Sequence, residues 1–426
     1  MIIRIENIGP VRKVDIDLSQ PMIILTGLNG TGKTYVLYII YTICRMFIYE
    51  KDFLNWSDVV NSHQKQKNGL LDVDKLFSLM LAHLRRVDKL INYAFGVEYG
   101  DDLVKETKIT LLTTKKQFHD EIASKELLIK AEGIFTFQKE KNSVEFTFLD
   151  CSGSFEDTKL VNYIVVKSLL FDALVEDIEP SDRSGLSTFN DEIIKGLKNS
   201  KLSASKELYR QPLAIRRFLA DMKDKFGQLS ENSKYCYLAD EIENKIMHGH
   251  LRVSESGSIC YKKEGMNKEI PLTLSSSGVK TICSIILFLR NSAMDCNLII
   301  IDEPEINLHP KYQILIARIL ARIVNAGIRL IISTHSDYII RELNNMIMLS
   351  SIKDEETIKQ LGYTKDETLS KDDVAPYYFE YQDDCCCVLG KEVEVSKTGF
   401  SIREIDEVIN SQVETSQNLY ETIEDI

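Results

Sequence analysis

The sequence predicts an α/β fold: a mixed or parallel sheet flanked by helices, joined to an antiparallel β lobe and carrying an inserted helical subdomain. Three observations predict it. A short apolar run, Met22-Ile23-Ile24-Leu25, leads into a glycine-rich turn and then an apolar helix over residues 33–49. From Thr273 to Leu349, helical stretches alternate with β-branched apolar runs, which argues a parallel sheet covered by helices. Between Thr107 and Lys167 the runs Ile109–Leu112, Leu128–Phe137 and Val144–Leu149 have the composition of short strands, the last alternating Val144, Phe146, Phe148.

The elements follow in order. Ile3 and Ile5, then Val14, Ile16 and Leu18, alternate on either side of a Gly9-Pro10 turn, as in a strand pair. Apolar residues at Val73, Phe77, Met80, Leu84, Val87, Ile91 and Ala94 step by four and three, predicting a packed helical hairpin or bundle. Polar helical sequence runs from about Asp191 to Lys245, and strand character returns at Arg252–Tyr261. A closing helix is expected from Ile402 to about Ile423. Ser401-Ile402-Arg403-Glu404 fits a capping box, and Ile402, Ile405, Ile409, Val413, Ser416, Tyr420 and Ile423 share one face. The organisation predicted is a head whose first lobe takes in 1–50 and some of a β-rich region at 107–190 and whose second lobe is about 246–350, with a helical insertion at 51–106, a helical segment at 191–245 and an acidic tail at 351–426.

Composition limits the function. The 426 residues carry 44% hydrophobic and 27% charged side chains, as in an ordinary globular protein, and at roughly 100–200 residues per domain they allow two to four domains. The longest apolar stretch, Tyr35 to Tyr49, carries Arg45 and is too short to span a bilayer. The start alternates Ile with charge and has no apolar signal core, so a cytoplasmic chain is expected. Residues 353–426 hold 7 Lys+Arg against 19 Asp+Glu, which accounts for the whole net charge of −12. That stretch reads as a solvated surface. Net charge gives no support to nucleic-acid binding, although Arg85-Arg86 and Arg216-Arg217 leave room for a local basic face. None of the nine cysteines stands in C-x-x-C spacing, so free thiols are expected rather than zinc.

Four motifs carry chemistry. Gly27-Leu28-Asn29-Gly30-Thr31-Gly32-Lys33-Thr34 fills the pattern G-x-x-x-x-G-K-[ST]. Its glycines let successive N–H groups turn inward around phosphate oxygens, Lys33 would reach the β- and γ-phosphates, and the Thr34 hydroxyl would ligate Mg²⁺. Leu298–Ile301 ends in Asp302-Glu303-Pro304, placing two carboxylates at a sheet edge: Asp302 for the Mg²⁺ water shell, Glu303 to polarise an attacking water. A second apolar strand ends at Thr334-His335-Ser336, where the His335 imidazole could bond the γ-phosphate. Leu274-Ser275-Ser276-Ser277-Gly278 opens an apolar helix; hydroxyls and free N–H groups there make a second phosphate-binding surface or a plain helix cap.

In this order the four motifs resemble an ABC-type ATPase, closest to the RecF, SMC and OLD (overcoming lysogenization defect) branch. Residues 1–34, the element Asp182-Arg183-Ser184-Gly185-Leu186 and the block from Pro271 to Asn345 are similar to the OLD-like AAA-family ATPases. The resemblance implies ATP and Mg²⁺ as cofactors and a homodimer or higher homo-oligomer sandwiching two nucleotides. One copy's Asn29, Gly30, Thr31, Gly32, Lys33 and Thr34 would face the partner's Ser276, Ser277 and Gly278. It makes Lys33, Glu303 and His335 catalytic, Thr34 and Asp302 metal-binding, and puts Asn307 and His309 at the interface. No glutamine matches the family's Q-loop, and the residues after Leu349 are too few for the OLD nucleases' Toprim domain. The chain thus resembles the stand-alone ATPases of anti-phage systems such as PARIS and Septu, in which a separate effector, a nuclease for instance, does the damage. A DNA-repair or chromosome ATPase of the RecF/SMC type and a largely non-hydrolytic nucleotide-switched scaffold remain the alternatives; a transporter motor fits poorly with so large an insertion.

Overall fold

The computed structural model describes residues 1–49, 60–63, 68–96, 106–124, 135–140, 143–148, 176–185, 211–225, 229, 233–254, 258–293, 297–382 and 387–424. The expectations for 128–134, Leu186, 191–210, Cys385 and Cys386 lie outside these residues. The strands are β1 (Ile2–Ile8), β2 (Val11–Asp17), β3 (Met22–Gly27), β4 (Val60–His63), β5 (Asn68–Asp72), β6 (Lys108–Leu111), β7 (Phe135–Glu140), β8 (Ser143–Phe148), β9 (Glu176–Glu179), β10 (Gly249–Val253), β11 (Ile259–Lys263), β12 (Ile270–Pro271), β13 (Leu298–Asp302), β14 (Arg329–Thr334), β15 (Val374–Tyr381) and β16 (Val388–Glu392). The α-helices are α1 (Lys33–Tyr49), α2 (Val73–Leu84), α3 (Val87–Phe95), α4 (Lys115–Ser124), α5 (Leu213–Lys225), α6 (Cys236–Ile242), α7 (Ser277–Asn291), α8 (Pro310–Asn325), α9 (Asp337–Leu349), α10 (Glu355–Gln360) and α11 (Arg403–Glu424).

Nine strands form one mixed sheet in the order β6-β1-β2-β16-β15-β3-β14-β13-β9. The run β15-β3-β14-β13-β9 is parallel throughout, whereas β6-β1-β2 is antiparallel. Strands β3 and β13 are buried at every residue, so both sheet faces must be covered. Alternate residues divide between the two faces. Ile23, Leu25, Ile300 and Ile331 pack with α1, α2 and α3 in one cluster. Met22, Ile24, Ile299, Ile301, Leu330 and Ile332 pack with α7, α8 and α9 in the other. Two antiparallel sheets stand apart, β10-β11-β12 and β4-β5-β8-β7.

The structure differs from expectation in the C-terminal stretch and adds detail in two other places. Residues 351–426 are more than a solvated tail: β15 and β16 enter the middle of the main sheet, where β15 runs parallel to β3 with Tyr377 opposite Leu25. The signal was masked by acidic residues flanking the strands and by Pro376, a residue normally kept out of central strands. The heptad-spaced stretch is helical as its spacing predicts, in two pieces, α2 and α3, with Arg86 (φ −90°, ψ 52°) leaving helical geometry between them. The insertion at 51–106 also contributes β4 and β5, and β6 and β9 of the 107–190 region belong to the main sheet.

Candidate functional site

The register of the parallel strands assembles the site. Ser333 of β14 lies opposite Leu25 of β3 on one side and Asp302 of β13 on the other, so all three strands end level beside the turn at Gly27. Gly27 itself has φ 143°, and a Cβ there would stand 2.5 Å from the Phe379 carbonyl oxygen; only glycine fits between the turn and β15. Gly30 and Gly32 also have positive φ, leaving the loop curled over the N-terminus of α1. The Thr31 hydroxyl donates to the Leu28 carbonyl (2.8 Å), and the Lys33 ammonium donates to the carbonyls of Gly27 (3.0 Å) and Leu28 (2.8 Å). Burial pushes the Lys33 ammonium below its ordinary value, while Glu303, Asp302 and Glu305 pull the other way. Asn29 and Gly30 are exposed at the loop's crest.

Asp302 is the hub. Its carboxylate accepts from the Thr34 hydroxyl at 2.9 Å and, on the other oxygen, from the Ser333 hydroxyl. These contacts draw the helix start, the acidic strand end and the neighbouring strand into one cluster. The next residue, Glu303, adopts φ 52°, a left-handed conformation that costs a non-glycine residue about 1 kcal/mol or more. Its N–H donates to the Ser333 carbonyl and hydroxyl, both at 3.1 Å. Burial first, then the Asp302 charge, raise the Glu303 carboxyl above its ordinary value, opposed by His335. The His335 Nδ1 lies 3.5 Å from Glu303 Oε1 and 3.7 Å from Glu305 Oε1. Glu305 is fixed by the Thr334 hydroxyl (2.8 Å) and the His335 N–H (3.0 Å), so it sets the turn that carries the imidazole.

The sequence motif gave Arg183 no role; the structure supplies one. The side chain is fully buried and donates to the carbonyls of Pro180 (3.2 Å), Thr281 (3.2 Å), Asp302 (2.7 Å) and Glu303 (2.9 Å). It therefore fastens the strained strand end to α7. Burial pushes its guanidinium down from its ordinary value, and Glu179, Asp302, Glu305 and Glu303 hold it up. Backbone carbonyls leave no trace in a sequence, so only the Arg-Ser-Gly motif pointed here. Phe379 and Tyr381 of β15, which wall the loop at Gly27 and Gly30, were missed because their segment read as tail.

Ser276, Ser277 and Gly278 stand elsewhere. Ser276 caps α7 by accepting from the Val279 N–H (3.4 Å), and Ser276 and Ser277 are exposed. A Cβ on Gly278 would press to 3.2 Å from the Asn307 carbonyl. Asn307, at φ 60°, donates to the Thr281 and Ser184 hydroxyls, and His309 caps α8. Among the described residues, no hydrogen bond joins Ser276 or Ser277 to the phosphate-type loop.

For Mg²⁺, the pair Thr34 hydroxyl and Asp302 carboxylate offers hard oxygen donors side by side. Among the described residues no group of three His, Cys, Asp or Glu side chains makes a closed cage. Such a half-built set fits a cation that keeps waters and takes phosphate oxygens. No described helix is long and apolar enough to cross a membrane.

No curated protein matches this sequence. Solved structures similar to it include an SMC head bound to the C-winged helix domain of ScpA, at 9% identity over 93% of this chain and 98% of that one, with a TM-score of 0.36. An Smc head domain with an extended coiled coil, bound to the C-terminal domain of ScpA and derived from Pyrococcus furiosus, is 10% identical over 96% and 98%, with a TM-score of 0.36. An SMC head domain from Thermotoga maritima is 11% identical over 92% and 98%, with a TM-score of 0.30. The family model described as AAA ATPase domain matches residues 1–340, which take in every element gathered around Asp302, and by that match the chain belongs to the AAA ATPase domain family.

Proposed function

We propose that the chain binds ATP with Mg²⁺ and hydrolyses it at a site shared by two copies, using the cycle to switch a separate effector protein. The observation that carries this is the Asp302 hub, which joins Thr34 of the loop to the strand end where Glu303 and His335 meet. The loop N–H groups and Lys33 bind the triphosphate, Thr34 and Asp302 hold the cation, and Glu303 orients and polarises the attacking water. Mg²⁺, when bound, neutralises charge on the β- and γ-phosphate oxygens. His335, against Glu303, reports the γ-phosphate to the turn built on Glu305. The exposed Ser276 and Ser277, with the half-buried Gly278, supply N–H and hydroxyl donors to the nucleotide held by a partner copy. The resemblance of the four motifs to the stand-alone ATPases of anti-phage systems supports a role in which the effector is a different chain.

Trans-complementation tests it. Lys33→Ala and Ser276→Arg should each be inactive alone. Mixed in equal amounts they should recover about a quarter of parental turnover, because half of a two-fold dimer population is mixed and each mixed dimer holds one intact site. An active single variant, or no recovery on mixing, would refute the shared site.

A further inference from the structure

We propose that α11 is a self-association helix that pairs with the same helix of a second copy of this chain, independently of nucleotide. Ile402, buried against the core, anchors its start. From Asn410 through Ile423 every residue is exposed, including Val413, Leu419, Tyr420 and Ile423, the last at 69%. In proteins most helix stability comes from packing of an amphipathic face, and α11 is rich in β-branched, Asn and Ser residues that favour helix weakly. A large apolar stripe left to solvent calls for a covering surface.

The placement of charge decides what covers it. Counted as a heptad from Ile402, the a positions are Ile409, Ser416 and Ile423, and the d positions are Ile405, Gln412 and Leu419. The helix has six acids, and Glu407, Glu414 and Glu421 all fall at the outermost f position, seven residues apart. Glu404 and Glu424 fall at c and b. Only Asp406 flanks the seam, and it accepts from the Ser401 hydroxyl. The remaining e and g positions are Val408, Val413, Thr415, Tyr420 and Thr422, all uncharged. A groove rimmed with lysine or arginine would want acids beside the seam; here Asp406 alone takes such a position in the repeat. Two copies can therefore close apolar face on apolar face without opposing like charges, with Gln412 and Ser416 setting the register. Within one assembly this pairing also raises the effective concentration of the ATPase heads for each other.

The test is sedimentation equilibrium without nucleotide, on full-length chain in the Lys33→Ala background, so that a wrong ATP assignment cannot affect the result. The parent should sediment at twice its 48.8 kDa at micromolar concentration. Ile409→Asp with Leu419→Asp should return it to the single-chain mass, at least a tenfold weakening, with the melting of the head unchanged. Glu414→Lys, on the outer face, should keep the doubled mass. A parent that is already single, or a double variant that stays paired, would overturn the proposal. A parent that stays single and pairs only with a basic amphipathic peptide probe would likewise overturn it, in favour of a different partner.

Discussion

Arg183→Ala tests how the strained strand end is held. The guanidinium donates to four carbonyls drawn from three separate segments, at 2.7 to 3.2 Å, from a fully buried position. Each hydrogen bond from a charged donor contributes about 1.5–3 kcal/mol, but removing the cation also relieves its burial cost of several kcal/mol. Deleting one member of a buried charge network costs about 3–5 kcal/mol net. Unfolding entropy of roughly 2.1 cal/mol/K per residue means about 1 °C of melting temperature per kcal/mol for a chain this long, so a drop of about 3–5 °C is expected. Scanning calorimetry measures it, with Arg183→Lys falling between parent and alanine because an ammonium cannot fork to several carbonyls. Glu303 loses its clamp as well, so phosphate release should fall more than nucleotide affinity does. An alanine variant that melts with the parent, within about 1 °C, would show that the clamp carries no load.

Other outcomes are equally specific. Glu303→Gln should lower phosphate release by about 10²–10⁴-fold, read by a coupled assay, while ATP affinity by calorimetric titration stays near parental. The same variant should be more stable than the parent near pH 7. Glu303 is raised by burial, so in the folded chain it holds its proton more tightly than when unfolded; its favourable share is present at low pH and lost as pH rises through the folded value, and glutamine should gain most at neutral pH and least near pH 4. His83 is pushed down to about 4 by burial, so the neutral ring favours folding above the ordinary histidine range and that benefit is lost as pH falls toward 4. In urea titrations, His83→Leu should therefore shrink the stability lost between pH 7 and pH 5 by about 2 kcal/mol, and an equal loss in both chains would contradict the assignment. Gly27→Ala should abolish nucleotide binding, because its Cβ would stand 2.5 Å from the Phe379 carbonyl oxygen; retained binding by titration would count against that wall.

What the sequence revealed follows from which interactions leave a pattern. Met22–Gly27, Pro310–Asn325 and the strand ending at Asp302 were legible because burial on both faces demands unbroken apolar runs and Pro310 marks a helix start. Lys33, Thr34, Asp302, Glu303 and His335 were found as separate motifs, and the parallel register brings them together. The carbonyls held by Arg183 could not be read, since every residue has one. Nor could β15, whose partner strand β3 lies more than three hundred residues earlier and whose Pro376 argued against a central strand. Glu305 carried no assignment from its spacing; its role at His335 comes from a backbone turn that no spacing rule encodes.

The most direct measurement is equilibrium binding of radiolabelled ATP with magnesium to the purified full-length chain, followed by phosphate release from the same sample. Saturable binding near one nucleotide per chain, sharply weakened in Lys33→Ala and kept without turnover in Glu303→Gln, is the predicted result. Binding that ignores both substitutions, or none at all, would contradict the site.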